Sequence, residues 1–249
     1  MADEDVWTAD DTYDEIDSDE PEVVTNAVRL VNVSRRYNIG VREIEALHDV
    51  SLEVKMDDFV AISGPSGSGK TTLLNLIGAI DYASEGRVFV MDVPIGDYDE
   101  SFRATFRLVN TGFIFQSYNL VSTLTALENV MFPMQLSEKP LAEINADALK
   151  LLKKIGLDDR TDHLPWQLSS GEQQRVAIAR AMANDPPIIL ADEPTANLDS
   201  VSAKMVRGLL RELHSQGKAV IVMTHDEHII DTPRARHLKM ADGELTTDV

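Results

Sequence analysis

Gly64-Pro65-Ser66-Gly67-Ser68-Gly69-Lys70-Thr71 is the stretch from which the rest of this chain is read. It satisfies G-x-x-x-x-G-K-[ST], and its flanks are those such a loop needs. Upstream, Phe59-Val-Ala-Ile-Ser63 is a short apolar run suited to a buried strand. Downstream, Thr72-Leu-Leu-Asn-Leu-Ile-Gly-Ala-Ile80 begins an apolar helix. The glycines let backbone N–H groups converge on phosphate, and the helix N-terminus adds partial positive charge. Lys70 is placed to reach the β- and γ-phosphates, and the Thr71 hydroxyl to ligate Mg²⁺. Gly64 through Thr71, with Thr72, is therefore the expected cradle for a nucleoside triphosphate, ATP.

A second stretch, Pro187-Ile-Ile-Leu-Ala-Asp192-Glu193, runs apolar residues into two adjacent carboxylates. A fully buried parallel strand reads this way, and carboxylates at its C-terminal end fall in the crevice where α/β sheets bind ligands. Asp192 is expected to hold Mg²⁺ and Glu193 to act as general base toward the attacking water. A third stretch, Leu168-Ser-Ser-Gly171-Glu-Gln-Gln-Arg175, leads into the helical run Arg175–Met182. On its own it is a Ser/Gly anion nest at a helix start, with its glutamate in the first turn. One chain thus carries two phosphate-binding devices about 100 residues apart.

With these three motifs in this order, the sequence resembles the ABC-type ATPases. In that family the LSGGQ-like element caps the γ-phosphate of ATP held by the other protomer. The resemblance therefore implies a head-to-tail homodimer in which Ser169 and Gly171 serve the partner's nucleotide. Further positions follow from it. Tyr37, in Ser34-Arg-Arg-Tyr-Asn38, matches the aromatic that stacks on adenine. Gln116, closing Gly112-Phe-Ile-Phe-Gln116, matches the glutamine that touches Mg²⁺. Asp199, in Ala196-Asn-Leu-Asp199, matches the loop that communicates across the dimer. His225, after the apolar run Ala219–Thr224, matches the histidine that contacts the γ-phosphate. The implied fold is α/β, a P-loop NTPase of ABC ATPase type. It has a RecA-like mixed sheet core, an antiparallel β sub-domain and a helical sub-domain at about 117–181. The other histidines (His48, His163, His214, His228, His237) have no partner spacing for metal or catalysis.

The resemblance spans about residues 26 to 245 and departs from the family pattern twice. Ser170 stands where the signature usually has the first of two glycines, and its Cβ is expected to restrict φ in the nest. Met56-Asp57-Asp58 replaces the usual Gly-Glu turn, a change Asp tolerates because it accepts left-handed geometry.

Composition sets the surroundings. The chain has 42 acidic against 23 basic residues, a net charge of −19, and no cysteine. The first 22 residues hold 11 of the acids and no Lys or Arg; residues 23 onward carry 31 acids against the 23 bases. Residues 1 to about 24 are accordingly read as an acidic, disordered tail, and 25–249 as the ATPase domain. The acidic body disfavours nucleic acid as a partner and suits a cytoplasm of high ionic strength, that of a halophilic source. The bland alternative is an acidic mesophilic protein. Absence of cysteine excludes disulfides and Cys-ligated metal. No apolar run approaches about 18 residues and no signal-peptide pattern opens the chain. The expectation is a cytoplasmic protein, peripheral on the inner face of the membrane through a partner.

Ala27–Val33 alternates like an edge strand; with Ile44–Val54 and Gly86–Met91 it should form an antiparallel sheet over the nucleotide. Amphipathic runs Ala142–Ile155 and Arg175–Ala183 are helical, Ser200–Ser215 is a helix, and Ala241-Asp-Gly243-Glu closes a hairpin. Gln116–Val130 looks like the lipoprotein-releasing and macrolide-exporter branch of the family. Its apolar residues would line the groove for a separate integral membrane permease, or are ordinary core. The function implied is the ATP-hydrolysing subunit of an ABC transporter. The alternative is a non-transport ABC ATPase that drives a membrane partner, as in cell division.

Overall fold

The computed structural model describes residues 26–246 except 41 and 138. The acidic tail read from the sequence lies outside the described residues. Along the chain run β1 (Asn26–Ile39), β2 (Arg42–Lys55), β3 (Phe59–Ser63), α1 (Lys70–Ile77), β4 (Glu85–Val90) and β5 (Val93–Pro94). Then come α2 (Glu100–Asn110), β6 (Thr111–Ile114), α3 (Ala126–Met134), α4 (Leu141–Lys154), α5 (Ser170–Ala181) and β7 (Ile188–Asp192). The last are α6 (Ser200–Ser215), β8 (Ala219–Met223), α7 (Glu227–Ile230), β9 (Ala235–Ala241) and β10 (Glu244–Thr246).

The strands make two sheets. The six-stranded sheet has the order β10-β9-β3-β8-β7-β6. Its strands pair in parallel except β10, which returns antiparallel along β9. Its central strands are apolar on both faces because both faces are covered. Phe59, Ala61, Ile189, Ala191, Val220 and Val222 pack with α3, α4 and α5 into one core. The alternating residues Val60, Ile62, Ile188, Leu190, Ile221 and Met223 pack with α1 and the second sheet into another. Period-two alternation of side chains thus divides each strand between two cores.

The second sheet is antiparallel, in the order β2-β1-β4-β5. Here one expectation is corrected. Ala27–Val33 is not an edge strand: it lies between β2 and β4, with Ala27, Val28, Leu30 and Val33 buried. Alternation reports which face a residue takes, not how far its strand sits from the edge. The sequence reading also left out α2, whose start is set by Asp99, its side chain accepting from Phe102 N at 2.9 Å. The Asp57 substitution behaves as expected: φ is 65°, and Asp58 closes the turn by accepting from Lys55 N at 2.9 Å. The final hairpin turns through Asp242 and Gly243, with φ of 50° and 81°.

Between residues 117 and 181 the long regular elements are α3, α4 and α5. A capping box of Thr125 and Glu128 starts α3. Among the described residues no helix is long and apolar enough to cross a membrane.

Candidate active site

The C-terminal ends of β3, β6, β7 and β8 converge on one cleft of about 670 Å³. The loop after β3 supplies Ser66, Gly67 and Gly69, and the start of α1 supplies Lys70, Thr71 and Thr72. Gln116 enters after β6, Asp192 and Glu193 at the end of β7, and His225 after β8. These residues come from strands that are neighbours in the sheet though far apart in the chain, which is how α/β sheets assemble ligand crevices.

The loop is built for close approach. Gly69 has φ of 106°, and a Cβ there would sit 2.5 Å from the Ala46 carbonyl oxygen. Gly64 has φ of 154°, and its Cβ would meet the Met240 carbonyl oxygen at 2.0 Å. Only glycine satisfies both demands. Gly69 is the N-cap of α1, with no side chain capping the helix and no acid in the first turn. The first N–H groups of α1 are therefore free for an anion. The Ser68 hydroxyl is buried and has no hydrogen-bond partner. Lys70 is buried, its ammonium donating to Gly64 O at 2.5 Å and Pro65 O at 2.9 Å. A glycine cradle, an uncapped helix and a lysine held by its own loop fit a polyphosphate.

The opposite wall is acidic. Thr71 Oγ1 donates to Asp192 Oδ2 at 2.8 Å. With the Gln116 side chain, this gives a set of oxygen donors suited to a hard divalent cation such as Mg²⁺. Glu193 has φ of 44°, a left-handed conformation that costs a non-glycine residue about 1–2 kcal/mol. Its N–H donates to Met223 O at 2.8 Å. Oε2 accepts from His225 N at 3.2 Å, and Oε1 lies 3.2 Å from His225 Nε2. Burial pushes the Glu193 carboxyl above its ordinary value; His225 and Lys70 oppose this, and Asp192 adds to it. A carboxylate raised in this way is a stronger base than a solvated one.

Several residues singled out in the sequence lie elsewhere. Gly64, Pro65 and Ser68 form the loop beneath the cleft without lining it. Tyr37 does not line it either. Its hydroxyl donates to Asp81 Oδ2 at 2.6 Å, and the Arg35 guanidinium lies 4.4 Å from its ring centroid. Its strand partner is Ile44, two residues from the cleft-lining Ala46. Ser169, Gly171 and Asp199 do not line the cleft. Ser169 caps α5 in a box with Glu172, each side chain accepting from the other's backbone N–H. Asp199 caps α6, accepting from Val201 N, Ser202 N and Ser202 Oγ. Gly171 packs on that same Ser202: a Cβ would come within 2.2 Å of its Oγ. Ser170 is the first residue of α5, exposed, and does not take a positive φ. The constraint expected from its Cβ does not arise; Gly171 is the position that needs to be bare. Missed from sequence were Ala46, Thr195 and Asp226 in the cleft wall; Ala196, quoted only as the start of the Asp199 loop, also lines it. The position of Asp226 directly after His225 at a strand end was the available signal.

Comparison with known proteins decides the family. A family model described as ABC transporter matches residues 47–196. This chain belongs to the ABC transporter family. An ABC transporter ATP-binding protein of Methanocaldococcus jannaschii, described as uncharacterized, is 44% identical over 218 residues, covering 88% of this chain and 97% of its own length. The macrolide export ATP-binding/permease protein MacB of Hyphomonas neptunium is 43% identical over 221 residues, which is 89% of this chain and 34% of MacB. The ATP-binding cassette MJ0796, solved as a dimer in a post-hydrolysis state bound to ADP and Pi, gives a TM-score of 0.82 at 42% identity, covering 88% of this chain and 98% of the cassette. The fold is thus that of an ABC ATPase cassette, and this ABC chain is an ATPase of the nucleotide-binding subunit type.

Proposed function

We propose that two copies of this chain close head-to-tail around two ATP molecules and so drive an integral membrane permease from its cytoplasmic side. The observation that carries this reading is the separation of the two phosphate devices. Lys70 lines the cleft, whereas Ser169 and Gly171 of the same chain do not. A second copy would bring them to it. The dimeric form in which MJ0796 was solved supports that arrangement. The name of MacB, which joins ATP-binding and permease parts, supports a permease partner.

Within the cleft the residues take distinct parts. Lys70 and the N–H groups of α1 hold the β- and γ-phosphates. Thr71, Asp192 and Gln116 would hold Mg²⁺, which when bound neutralises charge on those phosphates. Glu193 takes the proton of the attacking water, and His225 fixes its carboxylate at 3.2 Å. Tyr37 is the platform for adenine. Asp199 sits on the surface that meets the second copy. The net charge of −19 supports a salt-adapted protein.

Glu193→Gln tests the whole reading. It is expected to bind ATP, to turn over at least about a hundredfold slower, and to accumulate as a dimer. The dimer should be stronger in molar KCl than at about 0.1 M, where unscreened acidic surfaces repel. Purified from detergent-treated native membranes with ATP and Mg²⁺, it should bring down a membrane permease. Undiminished turnover would refute the role of Glu193. A closed dimer with no enriched membrane protein would refute the permease.

A further inference from the structure

The hydrolytic end of the cleft holds a third carboxylate besides Asp192 and Glu193. Asp226 lines the wall beside Thr195. Its Oδ2 accepts from Thr195 Oγ1 at 2.9 Å and from Arg207 Nη1 at 2.8 Å, and its Oδ1 from His228 N at 3.0 Å. The Arg207 side chain is 16% exposed and that of Asp226 15%. This is not the solvated surface pair whose contribution is close to nothing. Burial pushes the Asp226 carboxyl up, but Arg207, Thr195 and the His228 N–H outweigh it and hold it below the ordinary range.

The bridge sits where it can set the geometry of hydrolysis. Thr195 follows Glu193 by two residues, and Asp226 follows His225 by one. The Glu193–His225 contact is therefore bracketed. On one side Glu193 N donates to Met223 O at 2.8 Å; on the other, Thr195 is tied to Asp226. After the left-handed Glu193 the chain leaves the strand, and its loop is held by anchors from other elements, Gln174 Nε2 donating to Pro194 O at 2.7 Å among them. Arg207 supplies one from the middle of α6, a helix fixed to the core by Val206 and Leu210.

We propose that Arg207 is a positioning residue for ATP hydrolysis: acting through Asp226 and Thr195, it fixes Glu193 against His225. The proposal rests on the reading of Glu193 as the base.

Arg207→Met keeps an unbranched apolar stem and good helix propensity while removing the donor. The expected result is a kcat about tenfold lower with KM for ATP changed less than about twofold, because residues 64–72 are untouched. Arg207→Lys, which retains a cation for Asp226, should recover most of kcat. Thr195→Val should lower kcat similarly and add little when combined with Arg207→Met, since both act through one carboxylate. A kcat within about twofold of the parent in Arg207→Met overturns the proposal. So does a loss that Lys fails to recover and that follows falling thermal stability. If Arg207→Met does not fold, Thr195→Val decides: full kcat there overturns the proposal. Glu193→Gln, measured alongside, separates the two readings. Full turnover in Glu193→Gln removes the base; an inactive Glu193→Gln beside a fully active Arg207→Met removes only the role of Arg207.

Discussion

The loop at Lys70 and the helix start at Ser169 are built in opposite ways. Around Lys70 the structure holds one strained residue, Glu193, and unmet helix N–H groups. Gly67, Gly69 and Glu193 take positive φ of 82°, 106° and 44°, α1 starts uncapped, and the Ser68 hydroxyl is buried without a partner. Around Ser169 the helix start is closed, although Gln174 Oε1 and Arg175 Nε further along α5 are buried without partners. Helix α5 is closed by its own capping box, Ser169 and Ser170 are exposed, and Gly171 lies against Ser202, which donates to Asp199. The first region leaves helix N–H groups open that an anion can meet. The second holds its shape without one. That contrast fits a division of labour in which one half takes up ATP alone and the other acts when a second surface presents it.

The strongest way to break this contrast is Gly171→Ala. The added Cβ would stand 2.2 Å from Ser202 Oγ and 2.7 Å from Ser202 Cβ, and the latter cannot swing aside. Helices α5 and α6 must separate, and the Asp199 cap, tied to Ser202 Oγ at 2.6 Å, moves with them. Overpacking of this kind costs about 1–3 kcal/mol of stability. ATP affinity of the single chain should stay within about twofold, while turnover and ATP-dependent dimerisation fall about a hundredfold. Equilibrium nucleotide binding set against steady-state turnover reads the difference. Equal loss of both would mean the two regions are not independent.

Acidity sharpens the other half. On the proposed mechanism hydrolysis needs Glu193 as the carboxylate, and burial places its pKa above the ordinary 4.5. As pH falls through that raised value the base is protonated, so kcat should decline from a midpoint above 4.5, about tenfold per unit beyond it. The signature half has the opposite sign. The Glu172 carboxyl is lowered first by the Ser169 N–H, so the capping box persists to lower pH. A kcat profile across the range where the thermal midpoint is constant tests this. A midpoint at or below 4.5 would remove the base from its buried setting.

Much of this was legible in the sequence, for identifiable reasons. The strand–loop–helix at 59–80 and the apolar strands ending at Asp192 and Met223 announce themselves because buried parallel strands carry unbroken apolar runs. Their side-by-side placement is tertiary, yet the motifs mark the strand ends at which a crevice must form. Lateral order in the antiparallel sheet was not legible, since the alternation in β1 looks the same in an edge strand and an inner one. Arg207 was invisible for another reason. Nothing local in Lys204-Met-Val-Arg207 distinguishes an arginine facing solvent from one aimed at Asp226, nineteen residues away.

The smallest expected effect tests the subtlest sequence inference. The serine at position 170 stands where the family signature usually has glycine, and a nest with positive φ would be strained by it. In the structure Ser170 is the first residue of α5, without positive φ, and its side chain is exposed. Ser170→Gly would therefore release no strain. It would add backbone freedom to the unfolded chain, costing about 0.5–1 kcal/mol at a mid-helix site and less at this terminal one. The urea midpoint should fall slightly and turnover should stay within about twofold of the parent. A gain of tenfold or more would show that the closed dimer asks of residue 170 a conformation the single chain does not adopt. The capped helix at Ser169 would then, like the loop at Lys70, leave groups open that an anion can meet.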